Sequence, residues 1–264
     1  QYIVLIIAYL IPVIWMSNVQ GFGIIPHFSY GEGAQRIAEL EAMYGLNPAP
    51  EKIAGVAVLT TPHFAPQGGM DSWKFFTLAF CMMAGTASLP HILMRYFTTP
   101  SVRSARKSVA WSLWFIFLLY FTAPVLATLT KLQLLDPDLP TSIIGKPFAE
   151  VAALEWVKNW SEVGYLAIRD FNNDGILQLN EFFMRADIVV LATPEIAGLP
   201  YVISGLVAAG GMAAAMSTAD GLLLAIANAL SHDMYYKIID PSADTRKRLI
   251  VARVILVFIG VAAA

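Results

Sequence analysis

Two hydroxyls and a carboxylate stand inside an otherwise apolar run, Gly210-Gly-Met-Ala-Ala-Ala-Met-Ser-Thr-Ala-Asp220-Gly-Leu-Leu-Leu-Ala225. At helical spacing Gly210, Ala214, Ser217, Thr218, Gly221 and Ala225 share one face, a stripe of small residues that admits a close neighbour. The Ser217 and Thr218 hydroxyls and the Ala214 carbonyl, three and four residues apart, then offer hard oxygens to a small cation. Polar groups at membrane depth mark ion or substrate pathways. Asp220, one helical step further on, fits either a second cation or proton site or a position facing a water-filled vestibule.

A different cation chemistry is written in Asp170-Phe-Asn-Asn-Asp-Gly-Ile-Leu-Gln-Leu-Asn-Glu181. The segment fits the twelve-position EF-hand loop without a gap: Asp170, Asn172 and Asp174 at positions 1, 3 and 5, and Gly175 at the sharp turn. Ile176 gives its carbonyl at 7, Gln178 acts through water at 9, and Glu181 is the bidentate ligand at 12. A helix-like run from Val151 to Ala167 leads in and another from Glu181 to Val190 leads out, with Trp156, Phe182 and Phe183 available to pack the pair. With three carboxylates the expected calcium affinity is weak, on the order of 10⁻⁴ to 10⁻³ M, which suits a structural ion outside the cell.

The third feature is Ala84-Gly-Thr-Ala-Ser-Leu-Pro90. Pro90 lacks an amide donor and collides with the carbonyl four residues back, so a helix here must kink or unwind. Unwound backbone at mid-membrane is tolerated where it lines a cavity or is buried in protein. Gly85, Thr86 and Ser88 in the break are therefore candidate solute contacts, and His91, directly after Pro90, can donate to a carboxylate or titrate near neutral pH.

The elements that must position these groups are membrane helices. Of the 264 residues, 57% are hydrophobic and 14% charged, and the mean hydropathy is +0.62, which a soluble domain does not carry. The net charge of -2 gives no sign of nucleic-acid binding. Cys81, the single cysteine, excludes an intrachain disulfide. Phosphate-binding loops, nucleophile elbows and zinc motifs are missing from the sequence, so an enzyme is not expected.

Five apolar segments are read from length and composition: 1–18, 73–96, 108–130, 199–230 and 249–264. The first and last are cut inside apolar runs, so the chain reads as a fragment. Arg95, Arg103, Arg106 and Lys107 in one connection, and Lys237, Arg246, Lys247 and Arg248 in another, assign those loops to the cytoplasm. The longer connections, Val19 to Ser72 and Lys131 to Gly198, are then outside, and 151–190 becomes an external EF-hand-like insertion.

Gly85-Thr-Ala-Ser-Leu-Pro-His-Ile-Leu-Met-Arg-Tyr-Phe97, Ser104-Ala-Arg-Lys-Ser108, Met216-Ser-Thr-Ala-Asp220 and Ser231-His-Asp-Met-Tyr235 resemble the sodium:solute symporter family, its acetate-permease-like branch above all. The resemblance implies an all-α integral membrane protein with the LeuT-type fold of two inverted five-helix repeats, this chain supplying the fifth to ninth core helices. It implies a sodium site whose eighth-helix half is the Ala214 carbonyl with the Ser217 and Thr218 hydroxyls, and a solute site against the broken helix. It further implies import of a small organic solute, such as acetate or another short-chain monocarboxylate, across a bacterial inner membrane. A sensor module fused to a signalling kinase is the alternative on the same fold. Asp220 stands where other members place a hydroxyl or a small residue.

Overall fold

The computed structural model describes residues 2–46, 57–59, 62–65 and 70–263. The chain divides into two units, Gln1–Phe75 with Phe115–Gly211, and Phe76–Trp114 with Met212–Ala264; the boundaries fall within helices.

The first unit begins with α1 (Tyr2–Val19) and α2 (Tyr30–Tyr44). In α2 the residues Ala34, Ile37, Leu40 and Glu41 are buried, the i, i+3, i+7 pattern of an amphipathic helix on a core. Gly45 closes it at φ 76°, a left-handed conformation that only glycine adopts freely. Helix α5 (Val102–Leu135) has 34 residues, about 50 Å of helix against a hydrocarbon layer of about 30 Å. Its buried positions begin at Thr122 and run to Leu135, so the C-terminal third packs in protein. There Leu132, Leu134 and Leu135 join Ile37, Leu40, Ile143 and Phe182 in the main core.

That core also takes residues from α6 (Phe148–Ala153), α7 (Glu155–Glu162), β2 (Leu166–Ile168), β3 (Phe182–Met184) and α8 (Val189–Ile196). A three-stranded antiparallel sheet runs in the order β1-β3-β2, with β1 at Ala57–Val58 and Ile168 opposite Phe182.

The expected helix-loop-helix around the EF-hand motif is corrected here. The entering run breaks at Leu154, whose backbone is extended (φ −60°, ψ 131°), resumes as the short helix α7 and ends in the strand β2. The exit is a single 3-10 turn at Leu179–Glu181 followed by β3. Phe182 and Phe183 are fully buried, and strand pairing buries both faces of that segment where one helical face would bury a single stripe.

Two ion pairs, each with a buried carboxylate, join elements of this unit. Glu41 on α2 accepts Lys131 of α5, and its two carboxylate oxygens receive the His63 amide at 3.0 and 3.1 Å. Arg36 reaches Asp136 through Nε and Nη2 at 3.0 and 3.1 Å.

The second unit holds most of α3 (Ser72–Ala87), all of α4 (Pro90–Phe97), the start of α5, the larger part of α9 (Tyr201–Asn228) and α10 (Thr245–Ala263). Helix α9 continues into a π-helical stretch, Ala229–Ile239, which the sequence does not announce. Asp240 ends it, its carboxylate bonded to Ser242 and Lys247, while Arg248 of α10 stacks 3.4 Å over the Tyr236 ring.

Among the described residues three helical stretches are long and apolar enough to cross a membrane: Ser72–Met94, Val102–Leu135 and Tyr201–Ile239. Ile6–Val19 is apolar but shorter. Helix α10 carries Arg246, Lys247, Arg248 and Arg253, which shortens its uninterrupted apolar run. The outer ends of the first and fifth segments, Gln1 and Ala264, lie outside the described residues.

Candidate cation and solute sites

Helix α9 runs as unbroken α-helix through Ala214, Ser217, Thr218 and Asp220. Ala214 and Thr218 are exposed and Ser217 is half-buried. The Thr218 hydroxyl donates to the Ala214 carbonyl at 3.4 Å, long for an O–H···O bond, so the hydroxyl is weakly held, while the carbonyl, in unbroken helix, also accepts the amide four residues on. Residues three and four apart meet on one helical face, which is how α9 turns three separate oxygens into a patch.

The break sits where the proline requires it. Helix α3 ends at Ala87, and the Ser88 amide is shared between the Ala84 and Gly85 carbonyls at 3.2 Å each. Leu89 is extended, and α4 begins on Pro90, a first-turn position where a missing amide costs nothing. The Thr86 hydroxyl donates to the Met82 carbonyl at 2.7 Å and the Ser88 hydroxyl to the Gly85 carbonyl at 3.1 Å. Gly85, Thr86 and Ser88 are all exposed.

His91 follows on α4, and it and Asp220 line one cavity of about 400 Å³ with Met94, Thr98, Gly221, Leu224 and Asn228. The Nδ1 atom of His91 is buried without a hydrogen-bond partner. Sequence spacing assigned these two residues to separate sites 129 positions apart. Thr86 and Ser88 do not line this cavity.

In the loop of 170–181 the ligand-type residues bond mainly to one another and to local amides. Asp170 Oδ2 accepts the Gly175 amide at 3.0 Å, and Asp174 Oδ1 accepts the Ile176 amide at 2.8 Å. The other Asp174 oxygen takes the side-chain amides of Asn172 and Gln178 at 2.8 and 2.7 Å. The Ile176 amide first, with those two side chains, holds the Asp174 carboxyl below its ordinary range. Glu181 is buried, its two oxygens accepting the Phe171 and Gln178 amides at 2.9 and 3.0 Å. Gly175 at φ 75° and Asn173 at φ 55° make the reversal. Among the described residues no group of three or more His, Cys, Asp or Glu side chains is gathered to hold a metal ion. Asp170 Oδ1 is buried and unpartnered.

Sequence reasoning did not anticipate the cluster of Glu41, His63 and Lys131. Its members are 22 and 90 positions apart, with no local pattern to signal them. His63 Nε2 lies 3.3 Å from the Thr128 hydroxyl. Burial, and then the Lys131 charge, push its imidazole below the usual value, against the pull of Glu41.

Residues 187–264 match the sodium:solute symporter family. The chain is 53% identical over 191 residues to an uncharacterized symporter of Cupriavidus necator, covering 72% of this chain and 27% of that protein. It is 40% identical over 79 residues to a monocarboxylic acid transporter of Corynebacterium glutamicum, covering 30% of this chain and 14% of that protein. The chain thus spans about a quarter or less of the length of these relatives. No solved structure matches it. The similarity to sodium:solute symporters is carried by the region that holds Ala214, Ser217, Thr218 and Asp220, and the family and both relatives are transporters, not enzymes.

Proposed function

We propose that this chain is part of a cation-coupled symporter that imports a small organic solute across a bacterial inner membrane, with sodium as the coupling ion. The observation that carries the reading is the oxygen patch on α9, inside the region similar to the symporter family. Ala214, Ser217 and Thr218 offer one carbonyl and two hydroxyls, hard and uncharged, which suit a monovalent ion that must bind and leave. The remaining ligands come from a helix outside this chain, as the LeuT-type architecture implies. Asp220 provides a second cation or proton site nearby.

The solute binds at the break between α3 and α4, through Gly85, Thr86, Ser88 and His91. A short monocarboxylate such as acetate is the favoured solute, supported by the name of the Corynebacterium relative and by the imidazole and hydroxyl donors at the break. Sodium binding raises the population of the solute-competent state, and the ion gradient then drives uptake through linked equilibria. Uptake of labelled acetate, propionate and lactate by full-length protein in proteoliposomes tests this. Accumulation should require an inward sodium gradient and should fail with choline, and uptake indifferent to sodium overturns the reading.

Calcium at Asp170, Asn172, Asp174, Ile176, Gln178 and Glu181 orders the external loop in this reading and takes no part in transport. Two details favour it: Asp170 Oδ1 has no partner in its buried position, and the amides of Asn172 and Gln178 stand on Asp174 where a cation would neutralise it. Rotation of those amides would turn their oxygens to the ion.

A further inference from the structure

Helix α5 opens with basic side chains and continues with indoles on the same face. From Ser108 to Thr130 it carries no Asp, Glu, Lys or Arg, a run that at ~1.5 Å per residue is long enough to span a hydrocarbon layer of about 30 Å. Lys107 is the last charge before that run and so stands where the apolar layer meets water. Arg103, Lys107, Ala110, Trp111 and Trp114 are three and four residues apart and share one helical face. Lys107, Ala110, Trp111 and Trp114 line an open groove of about 500 Å³, and the two tryptophans are 55% and 56% exposed. Trp111 lies one turn deeper than Lys107, about 6 Å, at the headgroup level that indoles favour. The first turn of α5 has no acidic residue, and among the described residues none of Arg103, Arg106 and Lys107 enters an ion pair. These cations crowd the end of a helix whose own dipole is positive, where an anion is the favoured neighbour.

We propose that this groove binds an anionic phospholipid, its phosphodiester on the Lys107 ammonium with Arg103 one turn nearer the water, and its acyl chains running past Ala110 along Trp111 and Trp114. Two features of the groove select that occupant together. A soluble anion matches the charges and leaves the indoles uncovered, whereas a zwitterionic lipid covers the indoles and brings an ammonium group of its own to a face already basic. An anionic lipid meets both demands, since a basic cluster beside a membrane helix attracts its headgroup and apolar contact holds its chains. Ala110, with only a methyl group, leaves room between the ammonium and the deeper indole for the glycerol backbone. Bound there, the lipid fixes the depth at which α5 enters the bilayer.

The test is made on full-length protein, delipidated in detergent and titrated with phosphatidylglycerol, phosphatidylcholine or water-soluble glycerol phosphate, with bound molecules counted by native mass spectrometry. Phosphatidylglycerol should bind about tenfold more tightly than phosphatidylcholine, and Lys107→Gln should weaken it about fivefold, as the loss of one basic residue beside an anionic headgroup implies. Phosphatidylcholine binding should not change in that variant, and Lys107→Arg should keep the wild-type preference. Glycerol phosphate should not bind at the concentrations at which the lipid does. Phosphatidylglycerol with brominated chains should quench more tryptophan fluorescence in the wild type than in a Trp111→Phe/Trp114→Phe double variant. Equal phosphatidylglycerol affinity in wild type and Lys107→Gln overturns the inference. Equal quenching in the two proteins overturns it as well, because another part of the protein then covers this face. Glycerol phosphate bound as tightly as the lipid would make the groove a plain anion site and overturns it too.

Discussion

The Thr218 hydroxyl and the Ala214 carbonyl face each other across one turn of α9, 3.4 Å apart. The contact is too long to hold the hydroxyl firmly, and a cation entering there would draw on the second lone pair of a carbonyl whose first accepts the helical amide. The helix thus keeps its proposed ligands in register while the Thr218 hydroxyl stays weakly bonded.

Removing either hydroxyl should therefore weaken sodium binding without unfolding the protein. Ser217→Ala and Thr218→Ala are each expected to raise the sodium concentration for half-maximal uptake about tenfold, equivalent to about 1.4 kcal/mol. Alanine suits an exposed helical position, so surface expression should be unchanged. Sodium dependence equal to wild type in both variants would remove these residues from the site.

The break between α3 and α4 yields a steric prediction. Thr86→Leu adds bulk where the solute is proposed to sit and removes the bond to Met82, and solute affinity should fall about tenfold to hundredfold, as overpacking by about 1–3 kcal/mol implies. Helix α3 should persist, because leucine is a good helix former. Equilibrium binding of labelled solute, beside a circular dichroism spectrum, separates the two effects. Wild-type affinity would mean that the break serves only to bend the chain.

For the 170–181 loop, calcium at several times its dissociation constant should stabilise the full-length protein by about 1–2 kcal/mol through linkage. Asp170→Asn should abolish that gain, because it removes the charge at the first ligand position. The glutamate at the twelfth position is a poorer test: Glu181 is buried and holds two main-chain amides, so changing it damages the apo loop as well. A thermal-shift titration with calcium and magnesium in parallel decides the matter, and no shift at millimolar calcium removes the ion from the account.

The His63 site should make the first unit acid-sensitive. Its folded-state affinity for protons is lower than that of an ordinary histidine, so the unfolded chain takes up the proton first. The stabilisation is complete above the ordinary value of about 6.5 and is lost as pH falls below it toward the depressed folded value. Thermal unfolding between about pH 8 and about pH 5 should show a falling midpoint in the wild type. His63→Gln should flatten that part of the profile, and an unchanged slope would place the sensitivity elsewhere.

Features set by neighbours in sequence were readable from sequence. The break at Pro90 follows from a missing amide, and the oxygen patch of Ala214, Ser217 and Thr218 follows from helical spacing alone. The EF-hand spacing was readable too, yet its flanks were not. Phe182 and Phe183 suit a helix or a strand equally, and partners in β1 and β2 decide for the strand. The amphipathic spacing of Ile37, Leu40 and Glu41 was available inside a stretch read as loop. The placing of His91 and Asp220 in one cavity, and the pairing of Glu41 with Lys131, depend on how distant helices pack, which no local pattern encodes. The π-helical stretch after Asn228 likewise has no composition that separates it from ordinary helix.

The pairing of Ile168 with Phe182 offers a practical handle. Strand β3 is held on both sides, by β1 and by β2, so the 169–181 segment leaves an edge strand and enters the central one, both of its ends fixed in the same sheet. Asn173, exposed and already in a reversed backbone conformation, is its tip. Short surface tips whose ends are clamped tolerate inserted sequence well. A peptide tag or a small fluorophore-binding sequence grafted after Asn173 would report in living cells on which side of the membrane the loop lies, leaving the helices that carry the oxygen patch and the His91 cavity untouched.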